Sequence, residues 1–152
     1  MLGVDLAAED PRTADGRALI GELNRAMLAL YPESAWPFVT AEQLADGGCF
    51  VVARERGAAL GCGGLMPVEP GEMEVTRMYL RPEARGRRIS SAILAALEHE
   101  ARRRGAKRLV LETGPRQPEA IRLYERKGFA RSGPFGPHQE HPLSLFYAKA
   151  LP

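Results

Sequence analysis

Cysteine is scarce in this chain: 152 residues carry two, Cys49 and Cys62. Both sit in apolar segments without the His and Cys neighbours that a zinc site needs, so they are expected as buried core thiols, with no disulfide framework and no metal. An excess of one charge is missing as well. Twenty-one Lys and Arg against 19 Asp and Glu leave a net charge of +2, too balanced to indicate nucleic acid from bulk charge. Aromatics are few, at 7%, and are not interleaved with the arginines as base-stacking platforms would be. No stretch of 18 apolar residues occurs, and the N-terminus lacks a basic region followed by an apolar run. These absences argue against a membrane or nucleic-acid partner and make a reducing cytoplasm the expected location.

What is present suits one globular domain over residues 1–152: 45% hydrophobic and 26% charged residues, with 16 Gly and 12 Pro punctuating the chain. Residues 2–7 read as a short first strand. Asp10-Pro11 and Thr13 then open a helix carried by Leu19, Leu23, Ala26, Met27 and Leu30, which Tyr31-Pro32 stops. Thr40 with Glu42 and Gln43 suits a short second helix. A hairpin follows, with Cys49 to Arg54 as one strand, a turn at Arg56-Gly57 and a glycine-rich partner from Ala59 to Met66. Strand 72–80 alternates Val75, Arg77 and Tyr79 against Glu74, Thr76, Met78 and Leu80.

Ile89, Ala92, Ile93, Ala96, Leu97 and Ala101 recur at helical spacing, with Gly105 beyond the last turn. Leu109-Val110-Leu111 reads as a strand covered on both faces, and Pro118 opens a helix through Tyr124 to Gly128. A closing antiparallel pair, 129–132 and 144–149, is separated by a loop holding Phe135, His138 and His141. The histidines are expected to be exposed or to touch substrate. Trp36 and Phe38 serve either the core or an acceptor pocket.

Residues 74–90 run strand, basic turn, helix. Free amides in a first helical turn and the positive end of the helix dipole favour a phosphate there, and Arg85, Arg87 and Arg88 add charge. The same arginines could equally do no more than solubilise a helix start.

The run Glu74 to Ser90, with Ala120-x-x-Leu123-Tyr124-x-x-x-Gly128-Phe129, resembles the GNAT acyltransferase superfamily. The likeness covers most of the chain. The family's loop of Gln or Arg, two residues, Gly, one residue, and Gly or Ala falls on Arg85, Arg88 and Ser90. Leu111 to Ala120 and Pro134 to Pro137 look like a bacterial group of small N-acetyltransferases. The resemblance implies an α/β (α+β) fold: a mixed, strongly twisted central sheet flanked by helices on both faces, with two parallel strands splayed around acetyl-CoA. It implies cofactor contacts from Met78, Tyr79 and Leu80 and from the loop and helix start, Arg85, Gly86, Arg87, Arg88, Ile89, Ser90 and Ser91. Gln117 stands where the family has an asparagine, and Tyr124 where it often has its general acid.

Arg88 replaces a signature glycine, which fits only if that position is already helical. Glu74, on the strand beside the cleft, is the candidate base, directly or through water, or else pairs with Arg77 and positions substrate. Tyr124 either gives a proton to the departing thiolate or packs between helices. The expected activity is N-acetylation of a small amine, amino acid or peptide. The alternative is a non-catalytic acyl-CoA sensor or partner-binding module. Dimers are frequent in the superfamily, and the closing strands could pair across a two-fold.

Overall fold

Three helices start where the sequence supplies a cap or a proline. In the computed structural model, which describes residues 3–34 and 37–152, Thr13 Oγ1 accepts the Gly16 N–H at 3.0 Å and opens α1 (Ala14–Leu30). A reciprocal capping box between Thr40 and Gln43 opens α2 (Ala41–Ala45). Pro118 occupies the first turn of α4 (Pro118–Arg126), where its missing N–H costs no hydrogen bond. Trp36 lies outside the described residues.

Seven strands form one sheet in the order β1-β2-β3-β4-β5-β7-β6: β1 (Asp5–Ala8), β2 (Cys49–Glu55), β3 (Ala58–Glu69), β4 (Glu72–Leu80), β5 (Arg108–Thr113), β6 (Ala130–Arg131) and β7 (Leu145–Ala150). Every neighbouring pair is antiparallel except β4 and β5. The β2–β3 hairpin turns through Arg56 and Gly57 with φ of 51° and 83°, as a two-residue loop requires. Several boundaries differ from the sequence reading. β1 is Asp5–Ala8 rather than 2–7, and β5 extends to Arg108–Thr113. β3 continues past Met66 to Glu69, because a register shift between Pro67 and Glu69 accommodates the proline, and β6 is shorter than 129–132.

One face of the sheet packs on α1 and α2 through Leu19, Ile20, Leu44, Phe50, Val52 and Cys62. The other carries α3 (Ile89–Arg103) and α4 through Ile89, Ile93, Leu97, Leu109, Leu111, Leu123 and Tyr124. Ile93 and Leu97 are fully buried, and truncating either to Ala should cost about 2–5 kcal/mol. The glycines of β3 explain how α3 comes so close: a Cβ on Gly63 would lie 2.7 Å from Ile93 Cγ2 and from Met78 Sδ. The mixed sheet with helices on both faces is the architecture that the sequence led us to expect.

The alternation read along β4 does not hold. Between the rungs Gly64↔Thr76 and Cys62↔Tyr79, β3 uses one residue and β4 two, Arg77 and Met78, with Arg77 at φ 54°. This bulge resets the side-chain period. Val75, Met78 and Leu80 pack with the α3 face, whereas Tyr79 packs with the α1 face and Arg77 reaches Asn24 of α1.

Candidate active site

The parallel pair β4–β5 is short. Glu72, Met73 and Glu74 align with Arg108, Leu109 and Val110, and beyond Glu74 the strands separate. The Arg81 N–H donates to Leu60 O at 2.9 Å, which turns the main chain of Arg81 and Tyr79 toward β3. By the two-residue period of a strand, the main-chain groups of Met78 and Leu80 face the gap, where Leu80 O accepts an Arg85 guanidinium N–H at 3.3 Å. The Tyr79 side chain points elsewhere, its hydroxyl donating to Glu22 at 3.2 Å.

After a 3₁₀ turn at Pro82–Ala84, α3 begins at the mouth of this gap. Among the described residues, the amides of Gly86, Arg88, Ile89, Ser90 and Ser91 donate to no protein acceptor. Five free N–H groups at the positive end of a helix dipole form a cradle suited to a pyrophosphate. Arg88 is not helical, contrary to the sequence reading: it is the N-cap, in the left-handed region at φ 60° and ψ 21°. That is the conformation for which the family's glycine is suited, so arginine here carries backbone strain. The Arg88 side chain is exposed and makes no cap bond, whereas Arg87 holds Glu55 of β2 at 2.6 Å.

Deeper in, the separated strands open a cleft of about 130 Å³. Leu23, Met27, Phe38 and Val39 form an apolar wall, and Glu74, Arg77, Glu112, Gln117, Tyr124 and His138 line the rest. The Glu74 carboxyl is pushed up to about 7, first by burial, then by the neighbouring Glu112, with Arg77 opposing. Glu74 makes no salt bridge with Arg77, which sets aside the pairing that the sequence left open. Burial likewise raises the Tyr124 phenol above its ordinary value. Its ring meets Phe129 edge-on at 5.8 Å, and its hydroxyl has no hydrogen-bond partner among the described residues.

Other groups in the cleft escaped the sequence reading. Glu112 accepts Ser144 Oγ at 2.5 Å and lies 3.6 Å from His138 Nδ1. Tyr31, read only as a helix stop, is fully buried: its hydroxyl donates to Gln117 Oε1 and accepts the Arg116 N–H, both at 3.1 Å. A Cβ on Gly114 would fall 2.0 Å from that hydroxyl, so glycine is required where β5 gives way to α4. A lone Glu in the apolar run of β5 was the one available signal for Glu112. His141 lies away from the cleft and accepts the Leu143 N–H.

A family model described as Acetyltransferase (GNAT) family matches residues 17–129. The IAA acetyltransferase of Azospirillum brasilense is 42% identical over 153 residues, covering 99% of this chain and all of that protein. A Klebsiella pneumoniae structure described as a "putative acyl-CoA N-acyltransferase" is 34% identical, with a TM-score of 0.85 and 99% of both chains covered. The PaiA N-acetyltransferase of Thermoplasma acidophilum, solved with coenzyme A, shares the fold at a TM-score of 0.75 and 15% identity, over 97% of this chain and 99% of that one.

Proposed function

The chain belongs to the GNAT acetyltransferase family, and from that premise we propose that it acetylates a primary amine by direct attack, with Glu74 as base and Tyr124 as acid. That it is an enzyme rather than a sensor follows from the family. Acetyl-CoA, the family's acyl donor, supplies an acyl carbon bound to a sulfur leaving group. The free amides from Gly86 to Ser91 would hold its pyrophosphate, and the gap-facing main chain of Met78 and Leu80 its pantetheine, as an added strand would be held. Gln117, anchored by Tyr31, stands at the start of α4 on the same cleft.

The observation that carries the reading is Glu74, a half-buried carboxyl at the last β4–β5 rung whose proton affinity is raised toward neutral pH. An amine arrives as ammonium, and Glu74, directly or through one water, accepts its proton. The nitrogen then forms a bond to the acyl carbon as the carbon–sulfur bond breaks, while a main-chain amide near Met78 polarises the carbonyl. Tyr124, kept protonated by burial, gives a proton to the sulfur, and the surplus proton left on the attacking nitrogen passes to the phenolate as the amide forms. An amide and a free thiol result. The two free buried cysteines accord with a reducing cytoplasm, where we place the enzyme; of the closing strands only β6 lies at the sheet edge, and its pairing across a two-fold is the route we propose to a homodimer.

Calorimetric titration with acetyl-CoA, followed by thiol release across amines, amino acids, peptides and IAA, tests this reading. We expect micromolar binding and release that depends on the acceptor, slowed at least about tenfold in Tyr124→Phe. Failure to bind acetyl-CoA would overturn the cradle, and full activity in Tyr124→Phe would remove the acid.

A further inference from the structure

We infer that the acceptor is an amino acid, bound by its carboxylate to Arg77 so that its amine lies toward Glu74. This rests on the acyl-transfer reading above and adds the substrate class. The β4 bulge is what turns Arg77 out of the strand's alternation and into the cleft. There its guanidinium lies 4.9 Å from the Phe38 ring centre and donates one N–H to Asn24 Oδ1. Its Nε is buried and has no hydrogen-bond partner among the described residues.

No carboxylate among the described residues lies within salt-bridge distance of Arg77, although Arg54, Arg81, Arg87, Arg104 and Arg116 each have one. Burial works against the Arg77 charge, yet a guanidinium keeps its proton in a protein. The Arg77 guanidinium therefore has no carboxylate in contact among the described residues, Glu74 acting on it only through space, and it keeps one donor spare. A carboxylate matches both, since the guanidinium fork presents parallel N–H groups to two oxygens.

The rest of the cleft suits the rest of such a molecule. Glu74 and Glu112 offer carboxyl groups to an ammonium, and Leu23, Met27 and Val39 offer an apolar wall to a side chain. The cleft of about 130 Å³ has room for a small acceptor. The amino acid thus reads as charged at both of its polar ends and apolar between the enzyme's wall and solvent.

The test compares leucine, methionine and phenylalanine with their own carboxamides, which keep the amine and lose the negative charge. Thiol release is measured for each pair, and binding of each is measured by calorimetry on protein saturated with coenzyme A. Free acids should exceed amides by about 10- to 100-fold in kcat/KM and in affinity, the size expected of a charge-assisted contact. Arg77→Gln should erase that preference by raising KM, with acetyl-CoA affinity unchanged, and Arg77→Lys should restore part of it. Equal treatment of acids and amides by the wild-type protein would overturn the inference, as would a preference that survives in Arg77→Gln. Release with amides but no acid preference would leave acyl transfer standing without it. Absence of release from every amine would overturn acyl transfer instead, while the binding comparison still decides the role of Arg77.

Discussion

At the β1–β2 edge of the sheet, Glu9 meets Arg54 at 2.8 Å and its carboxyl is held below the ordinary range by that contact. In the β4–β5 cleft, Glu74 has no such partner and its carboxyl is pushed up to about 7. The arginines divide the same way. Arg54 bonds Glu9, Asp15 and the Gly57 carbonyl, whereas among the described residues Arg77 has no carboxylate partner and its Nε is unbonded. Thr113 Oγ1, also in the cleft, is buried without a partner among the described residues. Identical residue types are satisfied at the sheet edge and left unsatisfied in the cleft proposed for the acceptor, a contrast that supports the cleft as the functional site.

The largest effect should come from breaking the contrast at Glu74. Glu74→Gln keeps the shape and removes the base, so kcat/KM should fall by about 100- to 1000-fold. The wild-type rate should rise with pH through about 7, and the variant should lose that limb. Stability should move the other way. A carboxyl raised from 4.5 to about 7 by folding contributes stability below pH 4.5 and loses it as pH rises through about 7. At pH 8 the variant should therefore be the more stable by about 2 kcal/mol in denaturant melts, a difference that disappears toward pH 4. A variant that is inactive and also less stable at pH 8 would show that Glu74 is structural.

The two regions also differ in how far the sequence discloses them. The caps at Thr13 and Thr40, the proline at Pro118 and the apolar period of α3 are local signals, and each gave its element nearly to the residue. The β4 bulge was not legible, because its register is set by which β3 residue lies opposite, a fact of the partner strand. Arg77 was for that reason placed on a face with Val75. Tyr31 and Glu112 were missed on the same ground: their partners, Gln117 and Ser144, are 86 and 32 residues away. Glu74 and Tyr124 were reached through a family resemblance, while Glu112, which adds to the effect of burial on Glu74, comes into view only once the strands are packed.

The phosphate cradle offers a middle-sized test. Arg88→Glu puts negative charge at the mouth of the free amides and should weaken acetyl-CoA by about tenfold, read by calorimetry. On the satisfied side, Glu9→Gln should lower stability by about 1 kcal/mol at pH 7, because Arg54 loses one of its charged partners. A depressed carboxyl stabilises above its unfolded value of 4.5 and stops doing so as pH falls through its lowered folded value, so the two proteins should converge in acid. The kcat/KM of Glu9→Gln should equal that of the wild type. A loss of activity with stability intact would mean that the β1–β2 edge is coupled to the cleft.

The smallest effect belongs to Arg88→Gly, and it separates backbone strain from side-chain charge at one position. Arg88 sits at φ 60°, where a side chain is penalised and glycine is not, yet glycine also loses more entropy on folding. The two terms oppose each other and leave a net gain of about 0.5 kcal/mol for glycine. Because the N–H groups of the helix start remain, acetyl-CoA affinity should stay within about threefold of wild type, the exposed guanidinium adding a little long-range attraction that fades with salt. A tenfold loss at low salt would instead make the Arg88 side chain a direct phosphate ligand, and would explain why this chain keeps a strained arginine where glycine costs less.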